Sequence, residues 1–255
     1  MIRRELKLII CAVQFLTRIP TPQLKQFDPA WIQASARYYP LIGLLVGTLS
    51  AAVLWGASQL VSPLVAALLA IAASMALTGC FHEDGLADTA DGIGGGSTRE
   101  RRLEIMKDSR LGTYGASVLF LNLMIRAGCL AALIAVSPVL AAIAMICAQS
   151  FGRSAAVTAM AIMPYGGNPG MAKEGNPDRT GAHNVIIAVL IGLAPFAMLT
   201  PVMAGAGLGL GLLAAAIPAL LAWKHLGGRT GDVLGAVEQS FEIGFLLALG
   251  AVIRL

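Results

Sequence analysis

Charge is scarce in this chain: Asp, Glu, Lys and Arg make up 13% of its 255 residues, against 57% hydrophobic. A soluble domain carries about a quarter charged residues, so this balance excludes an ordinary water-soluble enzyme and makes the bilayer the solvent. From Tyr38 to Phe81 there is no charge in 44 consecutive residues. Cysteine is scarce too. Cys11, Cys80, Cys129 and Cys147 follow no paired interval, which speaks against a zinc site or a disulfide framework and leaves them as small core residues. Internal repeats, low-complexity tails and long linkers are also missing, so residues 1–255 read as a single membrane-embedded domain.

What is present is a series of apolar runs. A bilayer core of ~30 Å takes about 20 residues of helix, so the 38–81 run holds two spans with a turn at Ser62-Pro63. Further runs cover about Thr113 to Val136, Pro138 to Met163, Ala182 to Met203, Ala204 to Trp223 and Gly231 to Ile253. In hydrocarbon the backbone must satisfy its own hydrogen bonds, so each run is expected to be a helix, and abundant Gly and Ala suit close packing. The expected fold is an all-α polytopic helical bundle of seven spans. Met1 to Pro20 opens with Arg3, Arg4 and Lys7, but Gln14 and Arg18 interrupt its apolar part and no small-x-small cleavage site follows. It reads as an amphipathic interfacial helix and not as a signal peptide.

Lys and Arg alternate in location. Arg3, Arg4, Lys7, Arg18, Lys25 and Arg37 precede the first span, Arg99 to Arg110 follow the second, Lys173 and Arg179 the fourth, and Lys224 and Arg229 the sixth. The alternate connections carry none. The positive-inside rule then puts every long polar loop on the cytoplasmic side, with Arg254 outside. The expected location is a bacterial inner membrane with the site on its cytoplasmic face.

Acids gather where the second span emerges on that side, in Phe81-His82-Glu83-Asp84-Gly85-Leu86-Ala87-Asp88-Thr89-Ala90-Asp91-Gly92. If helical, Asp84, Asp88 and Asp91 share one face at i, i+4 and i+7. Three like charges so close repel unless a hard divalent cation joins them, and carboxylate oxygens are what Mg²⁺ and Mn²⁺ prefer. The plainer alternative is a solvated polar cap. Gly85 and Gly92 leave room for a kink. His82 beside these acids reads as a substrate-contacting group or as an interfacial histidine.

Gly94, Gly95 and Gly96 follow, a turn whose backbone N–H groups would suit phosphate oxygens, although a plain linker is the commoner meaning of such a run. Lys107 and Arg110 stand ready to neutralise a diphosphate. A second polar group, from Gly228-Arg229-Thr230-Gly231-Asp232 to Glu238 and Glu242, opens the last span, and ionisable residues there are expected to face an interior cavity. Asp232, level with Asp84, is a candidate metal ligand, or else a partner for Arg126 or Arg153. Of those two intramembrane arginines, Arg153 is assigned to substrate and Arg126 to packing. The loop from Pro164 to Gly181 is long enough to form a lid.

The 81–92 run, Lys107-Asp108-Ser109-Arg110-Leu111-Gly112-Thr113-Tyr114-Gly115 and Thr230-Gly231-Asp232-Val233-Leu234-Gly235-Ala236 together resemble the cobalamin synthase family, the adenosylcobinamide-GDP ribazoletransferases. The likeness begins at Phe15-Leu16-Thr17-Arg18-Ile19-Pro20 and covers essentially the whole chain. It departs at Arg229, where the family leads one to expect an aromatic residue. The resemblance implies a Mg²⁺-dependent membrane enzyme that joins adenosylcobinamide-GDP to the 5′-hydroxyl of α-ribazole, or of α-ribazole 5′-phosphate, releasing GMP. Its expected partners are those substrates and the bilayer and not nucleic acid, with a homo-oligomer or association with other cobalamin-pathway enzymes left open. On this reading Asp84, Asp88, Asp91 and Asp232 hold Mg²⁺, His82, Gly94 to Gly96, Arg153 and Thr230 contact substrate, and Lys107 and Arg110 steady the leaving GMP. Asp91 or Glu83 takes the hydroxyl proton, with the choice open. A CDP-alcohol phosphotransferase-like enzyme is the near alternative. A divalent cation transporter is the distant one, disfavoured because the acids cluster at one face and not at midplane.

Overall fold

The computed structural model describes residues 2–24, 28, 30–167 and 180–254. Eleven α-helices occur among them: α1 (Ile2–Leu16), α2 (Ala30–Ser35), α3 (Tyr39–Ser58), α4 (Pro63–Thr78), α5 (Phe81–Gly95), α6 (Arg99–Ile105), α7 (Thr113–Val136), α8 (Pro138–Ile162), α9 (Ala182–Leu193), α10 (Pro201–Leu226) and α11 (Gly231–Val252). The all-α polytopic membrane bundle is therefore observed, and α1 is amphipathic, burying Leu8, Cys11, Ala12 and Leu16 while Arg3, Arg4 and Lys7 stay exposed. Glu5 ties it to the start of α3, accepting from the Tyr38 hydroxyl at 2.7 Å and pairing with Arg37 at 3.1 Å.

The expected seven spans need correction. Five helical stretches are long and apolar enough to cross a bilayer, and a bent α4–α5 pair would make six. The helical segment Ala182–Met198 is too short. The break expected near Met203 falls earlier because Pro195 sits in a 3₁₀ turn and Pro201 starts α10. Thr200 caps that start, its hydroxyl accepting from the Met203 N–H, and Pro at the first helical position suits it. At the other break, α4 ends on two left-handed residues, Gly79 (φ 66°) and Cys80 (φ 59°), and the chain turns by 91° into α5. Glycine is needed at position 79 both for that φ and because a Cβ would collide with the Arg18 side chain. With 16 residues, about 24 Å of helix, α4 by itself falls short of a ~30 Å hydrocarbon core.

Two helices form the centre. In α8 and α11, 72% of the most apolar window is buried, against 39% for the stretch containing α3, 33% for α7 and 22% for α10. The outer helices expose Leu49, Val53, Phe120, Leu213 and Leu220, the side chains that lipid accepts. The inner contacts are made by small residues. Gly43 and Gly47 of α3 let it lie directly against the α8 backbone at Gln149 and Ile146, while Gly207 and Gly211 of α10 leave notches for the rings of Phe245 and Phe241 on α11. Without a hydrophobic force between helices in lipid, such close approach supplies the packing.

A Cβ at Gly47 would lie 3.0 Å from the Ile146 Cα, whereas one at Gly56 meets nothing within 4 Å. Gly47→Leu should therefore cost about 1–3 kcal/mol through overpacking, seen as a lower melting temperature in detergent, while Gly56→Ala should be neutral or stabilising. Equal effects would contradict the α3–α8 contact.

Candidate active site

α5 runs unbroken through Gly85 and Gly92, so no kink forms and Asp84, Asp88 and Asp91 do share a face. Their surroundings differ. Asp84 is exposed and Asp88 half-buried, but Asp91 is buried and turned to the start of α7. Its two oxygens accept the Gly112 N–H at 2.7 Å and the Gly115 N–H at 2.8 Å. A carboxylate there satisfies orphan donors of the first turn and meets the positive end of the helix dipole. Any Cβ at Gly112 or Gly115 would overlap that carboxylate. Asp91 thus clamps α5 to α7.

Asp232 comes to the same helix from α11. Thr230 caps α11, its hydroxyl accepting from the Val233 N–H, which gives this expected substrate contact a structural task. Gly85 allows the Asp232 backbone against α5, since a Cβ at Gly85 would sit 2.7 Å from the Asp232 carbonyl oxygen, and Gly235 likewise approaches the His82 backbone. Asp232 therefore lies beside the stretch bearing Asp84 and Asp88. Among the described residues no three His, Cys, Asp or Glu side chains converge on one metal position. Mg²⁺ seldom uses a full protein cage; one or two carboxylates with waters and substrate phosphates is its usual set. Two oxygen-only ligands on an open helix face, with a third alongside, fit that pattern.

Under α5 lies a buried ionic network. Arg126 of α7 pairs with Glu242 and, at 3.6 Å, with Glu83, and donates to Gln239 at 2.8 Å. Arg153 of α8 pairs with Glu238 at 2.7 Å and with Glu242 at 4.0 Å, and donates to Gln149. None of these charged side chains is more than 3% exposed. The arginines' partners are thus Glu83, Glu238 and Glu242 and not Asp232, and Glu83, considered above as a proton acceptor, is turned into the bundle. Arg153 keeps a second surface, however. With His82 it lines a cavity of about 40 Å³ walled by Phe15, Tyr39 and Phe81. Those rings were not singled out in the sequence, although Phe15 and Phe81 both fall in the motif stretches.

The expected phosphate turn is not present as such. Gly94 and Gly95 are the last turn of α5, and the Gly96 N–H donates to the Gly92 carbonyl. These glycines serve packing, since a Cβ at Gly94 would strike the Tyr114 ring and one at Gly96 the Arg102 backbone. Lys107 is exposed. Arg110 is exposed and grips Asp108, its Nε at 3.0 Å from both carboxylate oxygens. Those hydrogen bonds hold the Asp108 carboxyl down to about 2, so the pair stays ionised at any working pH.

A further residue joins the loops at this end. Arg99 donates to the Leu226 carbonyl at 2.9 Å and the Gly166 carbonyl at 2.8 Å. Pro164 to Gly166 pairs with Arg229 through two backbone bonds of 2.8 Å, and the Arg229 guanidinium lies 6.0 Å over the Tyr165 ring. Arg229, the departure from the family pattern, is fully buried there. The lid expected over 164–181 falls mainly on 168–179, outside the described residues.

Removing one partner of a buried ion pair strands the other and costs about 3–5 kcal/mol, whereas apolar replacement of both is far milder. Arg126→Met should lower the melting temperature strongly, and Arg126→Met with Glu242→Leu should recover much of that loss. A double variant less stable than the single one would contradict the pairing.

The chain matches the family model described as cobalamin-5-phosphate synthase over residues 8–250. It is 42% identical to a protein of Azorhizobium caulinodans, over 93% of both chains, and 42% identical to one of Leptothrix cholodnii, over 95% of this chain and 94% of that one. A Shewanella piezotolerans protein is 40% identical over 97% of this chain and 96% of its own. All three carry the name adenosylcobinamide-GDP ribazoletransferase. No solved structure matches the chain. With a family match across nearly its whole length and relatives of this similarity, the chain belongs to the cobalamin-5-phosphate synthase family.

Proposed function

We propose that this protein is an adenosylcobinamide-GDP ribazoletransferase, a membrane enzyme of cobalamin biosynthesis. It transfers the adenosylcobinamide phosphate group of adenosylcobinamide-GDP to the 5′-hydroxyl of α-ribazole or α-ribazole 5′-phosphate. GMP leaves, and adenosylcobalamin or its 5′-phosphate is the product. The observation that carries this is the open carboxylate face of α5, Asp84 and Asp88 with Asp232 alongside, in a chain 42% identical to named ribazoletransferases.

The hydroxyl oxygen attacks the phosphorus that carries the corrinoid chain, the bond from that phosphorus to the GMP oxygen breaks, and the hydroxyl proton goes to a base. Asp84, Asp88 and Asp232 are the residues that would hold Mg²⁺, which when bound supplies positive charge against the phosphate oxygens. Asp91 holds two backbone N–H groups and Glu83 faces Arg126, so both act through position, and the proton goes to whichever of Asp84, Asp88 and Asp232 keeps an oxygen off the metal. Lys107 is the exposed cation for the leaving GMP, and Arg110 joins it if Asp108 yields its hold. Orientation of the two substrates and fixed charges supply most of the rate. The basic residues of α1 and α6 put this face toward the cytoplasm by the positive-inside rule, in a bacterial inner membrane.

Purified protein in detergent should release GMP from adenosylcobinamide-GDP only with α-ribazole and Mg²⁺ both present, and EDTA should stop it. Asp88→Asn should lower kcat by at least about a hundredfold while purifying like the wild type. Near-normal turnover of Asp88→Asn would remove the metal role. Absence of ribazole-dependent GMP release from the wild type would remove the function.

A further inference from the structure

The cavity lined by His82 and Arg153 has aromatic walls. Phe15 at the end of α1 stacks with Tyr39 at 5.8 Å and meets Phe81 edge-on at 5.3 Å, and Phe81 meets the His82 ring at 5.3 Å. The Tyr39 hydroxyl is spent on the Ile32 carbonyl, so its ring offers only an apolar wall. At the inner end are two polar side chains. His82 is 5% exposed and lines the cavity. Arg153 is 2% exposed, lines it too, and its Nε is without a partner among the described residues. A buried donor left unsatisfied is costly, and an acceptor brought into the cavity would relieve it.

An aromatic slot closed by two hydrogen-bonding groups suits a flat, largely apolar heteroaromatic ring with a single acceptor atom. Resting on the ribazoletransferase reading, we propose that this slot holds the base of α-ribazole, a dimethylated benzimidazole, stacked on Phe81 and Phe15 with its acceptor nitrogen toward His82 and Arg153. Guanine is the poorer match, because its several donors and acceptors on both edges would be buried against aromatic walls. The base needs more room than the cavity of about 40 Å³, and the Phe81 ring, 36% exposed, would have to swing outward to admit it. The placement also suits the chemistry. Phe81 is one turn, about 5 Å of helix rise, before Asp84, and Gly231 at the slot's edge precedes Asp232, so the riboside's 5′-hydroxyl points to the carboxylate face.

The test measures α-ribazole binding by equilibrium dialysis and both KM values by GMP release, on the full chain in detergent. Phe81→Ala should weaken α-ribazole binding and raise its KM about tenfold, the loss expected of one base–aromatic stack. The KM for adenosylcobinamide-GDP and kcat should stay within about twofold, and Phe81→Tyr should restore wild-type values. Ala156→Leu, which fills the slot from α8, should raise the same KM and leave the other. If wild-type protein turns over and neither variant moves the α-ribazole KM, or if the adenosylcobinamide-GDP KM moves instead, the slot is not the ribazole site. If wild-type protein neither binds α-ribazole nor releases GMP, the ribazoletransferase reading falls and this inference with it.

Discussion

Charge removed from water must be paired, and in this bundle that requirement falls on one place. Arg126, Arg153, Glu83, Glu238 and Glu242 meet beneath α5 from four elements, α7, α8, α5 and α11. Two cations face three acids, and the Gln239 amide supplies further donors to Glu83 and Glu238. Sliding any of the four elements by one turn would strand a charge in a setting where that is costly. The network thus fixes register in a fold where apolar contacts alone are permissive, since lipid tails compete with every Leu.

On that anchored base α5 acts as a shelf. The left-handed pair Gly79 and Cys80 turns it by 91° from α4, the Asp91 carboxylate fastens it to the first turn of α7, and Gly85 and Gly235 let it lie close on α11. Asp84 and Asp88 are left on the open side. The division of labour runs between neighbours: Glu83 goes down to Arg126 while Asp84 faces out, and along the acidic face itself Asp91 is buried against α7 while Asp84 stays exposed.

Much of this was legible in the sequence. The apolar runs are long, so helices at 113–136, 138–162 and 231–252 were readable to within a residue, and the i, i+4, i+7 spacing gave the face of α5. Other features hinge on relations that composition does not carry. Whether α4 continued or turned depended on the φ of Cys80, which few non-glycine residues would adopt. Asp91 looked like its two neighbours, and only the approach of Gly112 and Gly115 sets it apart. The glycines at 94 to 96 looked like a phosphate turn because glycine marks close approach as readily as it marks an open loop, and here the close partners are Tyr114 and Arg102. The arginines' acids were visible as Glu238 and Glu242, but Asp232 competed for them until depth along α11 separated it from the buried pair. Phe15 and Phe81 were in plain sight within motif stretches, and aromatic residues in an apolar chain gave no reason to read them as a site.

The central claim is that α5 leaves the line of α4 and lies across the end of the bundle with one face to water. Spin labels placed singly along residues 84 to 93, with collision rates measured against a water-soluble nickel chelate and against oxygen, test it most directly. The account predicts a 3.6-residue period, with the chelate reaching positions 84 and 88 best and oxygen reaching 86, 90 and 93 best. A flat profile, or one in which the chelate reaches none of these positions, would contradict it.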